Sequence, residues 1–240
     1  MPPSRESRLA GLILAAGESR RMGREKALLP WRGSTFLAGQ IELLRPRVDC
    51  VLVVAGKNSE SLRSVVEANG AQLVMNPKPE LGQFSSLQTG LREVLARGCD
   101  AVIMALVDRP PVSPETVALL RRGYEQRAEG IWAVHPEYAG RHGHPVIFGP
   151  DMIAALLGAP AECTAQEVQQ QHHERIFYLS IEDPLIIANV NTPAEYEKLV
   201  ATGDDSSENA EAASADVLDS ARNEQERIAE VLLSNFQTPL

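Results

Sequence analysis

The sequence has few cysteines, no long apolar run and no excess of basic residues. Each absence removes a class of function. Cys50, Cys99 and Cys163 are the only cysteines among 240 residues, and no two form a CxxC pair. That excludes a disulfide scaffold and a cysteine zinc site, and it suits a reducing cytoplasm. No apolar stretch approaches the ~18–20 residues that a membrane span requires. The opening MPPSRESRLAGLILAAG has a basic flank, but no polar cleavage region follows its short apolar run, so no signal peptide is expected. Lys and Arg number 23 against 32 Asp and Glu, a net charge of −9. An acidic chain lacks the basic face that neutralises a phosphate backbone, which argues against a nucleic-acid partner. The deficit is also local. Residues 201–240 carry nine acids and two bases, a net of −7, which leaves −2 for the first 200 residues.

What is present is an ordinary globular composition, 44% hydrophobic and 23% charged. Apolar runs at 9–16 (LAGLILAA), 50–56 (CVLVVAG), 71–76 (AQLVMN) and 100–108 (DAVIMALVD) read as strands. Their near-unbroken apolar character fits strands buried on both faces. Helical segments are expected between and after them: 34–46 with a Ser34 cap, 58–69 with an Asn58 cap, 84–97, and 113–126 opening on Ser113-Pro114. The second half predicts short strands at 131–136, 145–148, 176–181 and 185–190, and helices at 150–157, 164–174 and 192–200. Thr192 and Glu195 have the spacing of a capping box. Alternating strands and helices predict a Rossmann-like three-layer α/β/α domain with a mostly parallel mixed sheet over residues 1–200. Residues 201–216, acidic and small, read as a disordered linker, and 217–240 as a tail containing an amphipathic helix.

One segment stands out chemically. LAAGESRRMGREKALLPW (14–31) follows the first strand with Gly17, Ser19 and Gly23 in a loop, and places Arg20, Arg21, Arg24 and Lys26 within seven residues. Glycines let backbone N–H groups approach an anion, and a cation cluster at the carboxyl end of a strand suits a polyphosphate. The loop is neither a GxGxxG fingerprint nor a Walker P-loop. Asp108, in ALVDRPPVSP, ends the fourth strand at the same sheet edge, where a carboxylate can hold Mg²⁺ beside phosphates. Three further runs carry polar groups in suggestive positions. They are GQFSSLQTGL (82–91), NVNTPAEYE (189–197) and GRHGHPVIF (140–148).

These runs resemble the MobA-like nucleotidyltransferases, whose signature LxAGxSxRMGxxK is matched from Leu14, and among them the molybdenum cofactor cytidylyltransferases. The resemblance spans about residues 8–200 and implies the nucleotide-diphospho-sugar transferase type of fold. It implies that Leu14, Ala15, Ala16, Gly17, Ser19 and Gly23 wrap the nucleotide. Arg20, Arg21 and Lys26 would meet the phosphates and stabilise the leaving group, and Gly82, Ser85 and Ser86 would meet the base or ribose. It places Mg²⁺ on Asp108, where Val107 replaces a common glycine, and on Asn191, where the family usually has a second Asp. An amide oxygen can still ligate the metal with one charge fewer. His144, in a GHPVxF run, would face the acceptor.

The implied reaction is transfer of CMP from CTP to the phosphate of molybdenum-molybdopterin, in a cytoplasmic enzyme that releases pyrophosphate. A molybdenum hydroxylase or its maturation factor is the partner this suggests. Leu14-Ala15-Ala16-Gly17, in place of the Leu-Ala-Gly-Gly of the guanylyl branch, favours CTP. Three alternatives stay open. They are guanylyl transfer, transfer to a sugar phosphate, and a non-catalytic nucleotide-binding chaperone.

Overall fold

The computed structural model describes residues 8–17, 19 and 21–204. The expected linker beyond Asp204, the terminal helix and Arg20 lie outside them. The chain divides after Asn191 into two units, and the described part of the second is a single helix.

Among the described residues, ten strands and seven α-helices follow one another, the last helix lying in the second unit. The strands are β1 (Leu9–Leu14), β2 (Pro30–Trp31), β3 (Ser34–Thr35), β4 (Cys50–Ala55), β5 (Gln72–Met75), β6 (Ala101–Leu106), β7 (Ala133–Tyr138), β8 (Arg141–His142), β9 (Val146–Phe148) and β10 (Ile176–Ser180). The helices are α1 (Phe36–Leu44), α2 (Ser59–Ala68), α3 (Gln83–Ala96), α4 (Pro114–Glu125), α5 (Pro150–Gly158), α6 (Ala165–Gln171) and α7 (Pro193–Asp204). The main sheet runs β10-β7-β9-β6-β1-β4-β5, with β8 on β7. Pairings among β6, β1, β4 and β5 are parallel, as is β10 with β7, while β9 runs antiparallel to both neighbours. This is the mixed, mostly parallel sheet that the alternating pattern predicts.

Both faces of the sheet are covered. Leu12, Leu14, Leu52, Val54, Val102 and Met104 share one core cluster with Phe84, Leu87, Leu91 and Val94 of α3 and with Met152, Ile153 and Leu156 of α5. Gly11, one residue out of phase in β1, faces Leu44 of α1 at 3.4 Å from where a Cβ would stand. Strand residues alternate sides, so α3 and α5 form one outer layer and α1 the other. All six residues of β1 are buried, which is why it is apolar without interruption.

Local differences from the sequence reading have physical causes. The run 185–190 is not a strand: Pro184–Ile187 is a 3-10 turn, because Asp183 takes the Leu185 amide at 2.9 Å and caps it. Thr35, not Ser34, caps α1, since Ser34 pairs with Trp31 in the small β2–β3 hairpin. Asn58 precedes α2 without capping it, because its amide is engaged elsewhere. Helix α6 stops at Gln171 and a 3-10 turn over His173–Arg175 follows. The Ser113 cap and the Thr192–Glu195 reciprocal bonds form as expected, the latter at 2.9 and 3.3 Å. Helix α7 continues through Asp204, past the expected start of the linker.

Candidate active site

Strand β1 ends at Leu14 in the middle of the sheet, between β4 and β6. The Ala15 amide still bonds Val54 O at 2.8 Å, and the Val107 amide bonds Leu14 O at 3.1 Å. The chain therefore leaves the sheet between two strand ends, the position where open α/β sheets bind ligands. A cleft of about 500 Å³ opens there, lined on the β1 and β6 side by Leu14, Ala16, Gly17, Ser19, Lys26 and Asp108. The rest of the lining is the start of α3 and the turn before it, with Glu80, Gly82, Gln83 and Ser86, together with Lys57 from just beyond β4.

The glycine loop is held by side chains from within and from β4. The Ser19 hydroxyl accepts the Lys26 amide at 3.1 Å and donates to Glu25 Oε1 at 3.4 Å. Asn58 Nδ2 donates to Ala15 O at 2.8 Å and to Glu25 Oε2 at 3.1 Å, while its Oδ1 accepts the Gly56 amide at 3.1 Å. Ser19 itself has φ +50°, and the buried Met22 anchors the loop with its amide on Ser19 O at 3.0 Å. The described residues of the loop are thus held by side-chain bonds from Ser19, Glu25 and Asn58.

Asp108 is fixed with equal care. Gln40, buried in α1, donates its Nε2 to Leu106 O at 2.9 Å and Arg109 O at 2.8 Å, gripping the turn from both sides. The Val190 amide bonds Asp108 O at 2.9 Å, and Arg109 Nη1 donates to Ile186 O at 3.0 Å and Ala188 O at 3.4 Å. These bonds lace residues 186–190 to the end of β6 and bring Asn191 to Asp108. Between them stands Lys26. Its Nζ lies 2.8 Å from Asn191 Oδ1 and 3.8 Å from Asp108 Oδ2. The Lys26 side chain is 12% exposed and the Asp108 side chain 32%.

The start of α3 is built on a backbone that only glycine adopts comfortably. Gly82 has φ +91° and ψ −175°. The buried Asn76 donates to the hydroxyls of Ser85 at 2.9 Å and Ser86 at 3.0 Å and accepts the Lys78 amide at 2.9 Å. The Ser85 hydroxyl also donates toward Lys78 O and Gly82 O. Ser85 is therefore a strut of the wall, and Ser86 is the serine that lines the cleft.

A second cavity of about 580 Å³ adjoins the first, sharing Leu14, Gly82, Gln83 and Leu106 with it. Phe84, Leu87 and Met104 contribute apolar surface; His144, Glu162, Thr164 and Gln166 contribute polar groups. The His144 amide bonds Ile186 O at 2.9 Å. Gly143 permits this, since a Cβ there would stand 2.3 Å from the same Ile186 oxygen. His144 Nδ1 is buried with no hydrogen-bond partner. Burial, then Arg109 and His135, hold the His144 pKa well below the usual imidazole range, so the ring is neutral near pH 7. His142 turns elsewhere: it pairs with Glu137 at 3.3 Å and stacks on Tyr178 at 4.0 Å between ring centroids.

Of the residues singled out from sequence, Leu14, Ala16, Gly17, Ser19, Lys26, Gly82, Ser86 and Asp108 line one cleft. Asn191 meets it through Lys26, and His144 lines the adjoining cavity. Ala15 is fully buried, with its backbone spent on Val54 and Asn58. Arg21 and Gly23 are exposed and do not line the cleft. Sequence reasoning missed Lys57 and Glu80 on the wall, and Gln40, Asn58 and Asn76 behind it. Lys57 follows the end of β4 as Asp108 follows β6, so the strand-end rule applied to every parallel strand would have found it.

This mostly parallel sheet, with a glycine loop facing a carboxylate across the strand ends, has the layout of an α/β nucleotide-binding domain. Residues 11–176 match the MobA-like NTP transferase domain, and the chain belongs to that family. It is 30% identical over 197 residues to a probable molybdenum cofactor guanylyltransferase of Mycobacterium avium, covering 80% of this chain and 94% of that one. The crystal structure of Rv0371c from Mycobacterium tuberculosis superimposes with a TM-score of 0.68 at 24% identity, covering 82% of this chain and 98% of the other. A complex of Rv0371c with manganese gives a TM-score of 0.62 at 22% identity, covering 80% and 98%. The relatives of this kind bear a guanylyl name, where the Leu14–Gly17 run leads to an expectation of the cytidylyl branch. Among the described residues, no helix is long and apolar enough to cross a membrane.

Proposed function

We propose that the chain transfers a nucleotidyl group, CMP from CTP by preference, to the terminal phosphate of molybdenum-molybdopterin, releasing pyrophosphate. The observation that carries this reading is the meeting of Lys26, Asp108 and Asn191 at the mouth of a cleft formed by the ends of β1 and β6.

In the reaction an oxygen of the acceptor phosphate forms a bond to the α-phosphorus. The bond from that phosphorus to the bridging oxygen breaks, and pyrophosphate departs with the electron pair. A phosphate monoester has a second pKa near 6, so the nucleophile is already an anion at neutral pH and no general base is required. The protein's part is alignment and charge neutralisation. Gly17 and the Ser19-braced loop offer backbone to the phosphates, and Lys26 and Lys57 face them from two sides of the cleft. Asp108 and Asn191 fit a divalent cation, because their oxygens already gather around a positive charge, the Lys26 ammonium. When bound there, Mg²⁺ would neutralise charge on the α-phosphate. The manganese complex of Rv0371c supports divalent-metal binding in this fold. The adjoining cavity, whose lining among the described residues includes Glu162 but no Lys or Arg, suits the body of the acceptor away from its phosphate, with neutral His144 and the Gln166 amide at its polar edge.

Ala16 supports CTP. It lines the cleft, and its methyl group takes volume that a glycine would leave open, which favours the smaller pyrimidine. The name of the Mycobacterium avium relative favours GTP, and this is the second reading. Pyrophosphate release with purified cofactor and CTP, GTP, ATP or UTP in turn separates them. Release with CTP at the highest rate supports the proposal. Release with GTP alone replaces it with guanylyl transfer, and release with none makes the chain a binder. Delivery of the product to a molybdenum hydroxylase or its maturation factor completes the proposal.

A further inference from the structure

We propose that one buried water molecule joins Gln40, Arg109 and His144, and that it fixes the His144 ring with its proton on Nε2, facing the adjoining cavity. The use of that proton to hold the acceptor rests on the nucleotidyl-transfer reading; the water does not.

A small cavity of about 20 Å³ lies beside the turn that follows β6, lined by Gln40, Leu44, Arg109, Val112, His144 and Pro145 among others. That is room for about one water molecule, which needs two to four polar partners. Three are at hand. Gln40 Oε1, Arg109 Nε and His144 Nδ1 are each buried with no hydrogen-bond partner among the described residues. Their chemistry complements a single water. Gln40 is oriented by its Nε2, which donates to Leu106 O at 2.9 Å and Arg109 O at 2.8 Å, so its remaining atom is an acceptor. Arg109 Nε–H can only donate, and Nη1 of the same side chain is spent on Ile186 O and Ala188 O. The water accepts from Arg109 Nε–H and donates to Gln40 Oε1 and to His144 Nδ1. Leaving three buried polar groups unpaired would cost more than ordering one water.

The position of the ring proton follows from charge. After burial, Arg109 is the largest influence lowering the His144 pKa, so its guanidinium acts on the ring. A positive charge there favours the Nδ1 lone pair over an N–H dipole and leaves the proton of the neutral ring on Nε2. His144 also borders the larger cavity assigned to the acceptor. The acceptor therefore meets a hydrogen-bond donor at this point and must offer an oxygen or an unprotonated ring nitrogen to it. Through the same water the ring is tied to Gln40 and Arg109, the residues that hold the turn carrying Asp108.

The test is ¹⁵N NMR of the full chain without nucleotide. Long-range ¹H–¹⁵N spectra near pH 7 should show His144 with an unprotonated Nδ1 and a protonated Nε2. The Arg109 Nε–H should give a cross-relaxation peak to water with the sign of a molecule held longer than the tumbling time. A proton on Nδ1, or an Arg109 Nε–H with no contact to such a water, overturns the proposal and leaves nucleotidyl transfer standing. His144→Phe keeps a ring of similar size and removes the donor. It should raise the KM for molybdenum-molybdopterin by about tenfold and shift the KM for CTP by less than about twofold. An unchanged KM for the pterin overturns the contact assigned to Nε2. If no nucleotide supports transfer, the transfer reading falls, and the wild-type spectra still decide the water and the ring. They decide equally should His144→Phe lose its native circular dichroism.

Discussion

Asn58, half-buried, braces the glycine loop from the end of β4, and its replacement gives a sharp structural prediction. Its side chain makes three bonds: to Ala15 O, to Glu25 and from the Gly56 amide, at 2.8, 3.1 and 3.1 Å. Asn58→Ala removes all three and leaves the Ala15 carbonyl and the Glu25 carboxylate without that donor. Each net contribution is about 1 kcal/mol, reduced where water can replace the partner, so a loss of about 2 kcal/mol is expected. For a chain of this size that lowers Tm by roughly 4–8 °C. In the proposed reaction the same bonds order the loop that would receive the phosphates, so part of the ordering cost would move into binding. CTP affinity should fall by up to about tenfold, the equivalent of 1.4 kcal/mol. Asn58→Asp retains an acceptor for Gly56 but places a carboxylate beside Glu25. It should destabilise at least as much at pH 7, by an amount that shrinks with added salt. Urea unfolding followed by circular dichroism, and CTP titration, measure both effects. An Asn58→Ala variant within about 0.5 kcal/mol of wild type, with unchanged CTP affinity, would refute the bracing role.

Two further outcomes are expected. Asp108→Ala should lower the rate of pyrophosphate release by at least about 10²–10³ while the circular dichroism spectrum stays native, because it removes one electrostatic contact without opening the core; retained turnover contradicts its role. His135 is buried and its pKa is pulled down to about 4, first by burial and then by His142. The unfolded chain therefore takes up a proton below pH 6.5 that the folded chain refuses, and stability falls as pH drops toward 4. Between pH 6.5 and 5 this single group removes about 2 kcal/mol. The wild type should lose that much more than His135→Leu in urea midpoints over the same interval, and parallel losses would count against it.

How much of this was legible beforehand depends on how local each signal was. The parallel core of the sheet was readable because β1, β4 and β6 are buried on both faces and so are apolar at nearly every position. The strand-end placement of Gly17 and Asp108 followed directly, and it put both on one cleft. Residues 185–190 misled because Ile186 and Val190 are buried one by one rather than in a strand; an apolar run looks the same whether it pairs with a strand or packs as a turn. The long-range braces were not readable. Gln40 reaches Leu106 and Arg109 across more than sixty positions, and Asn58 reaches back to Ala15. An isolated Gln in a helix or an Asn before one carries no mark of such a partner; the Asn looked like an ordinary cap. Lys26 was expected among the phosphates; in the structure it bridges Asp108 and Asn191, a contact that only the folded meeting of three separate segments creates.

The most direct measurement of the central claim uses nucleotide labelled with ³²P at the α- or the γ-position, together with purified molybdenum-molybdopterin and Mg²⁺. The account predicts that the α-label appears on the pterin product in step with release of the γ-label as pyrophosphate. A γ-label on the acceptor, or nucleotide that binds and is recovered intact, would contradict it.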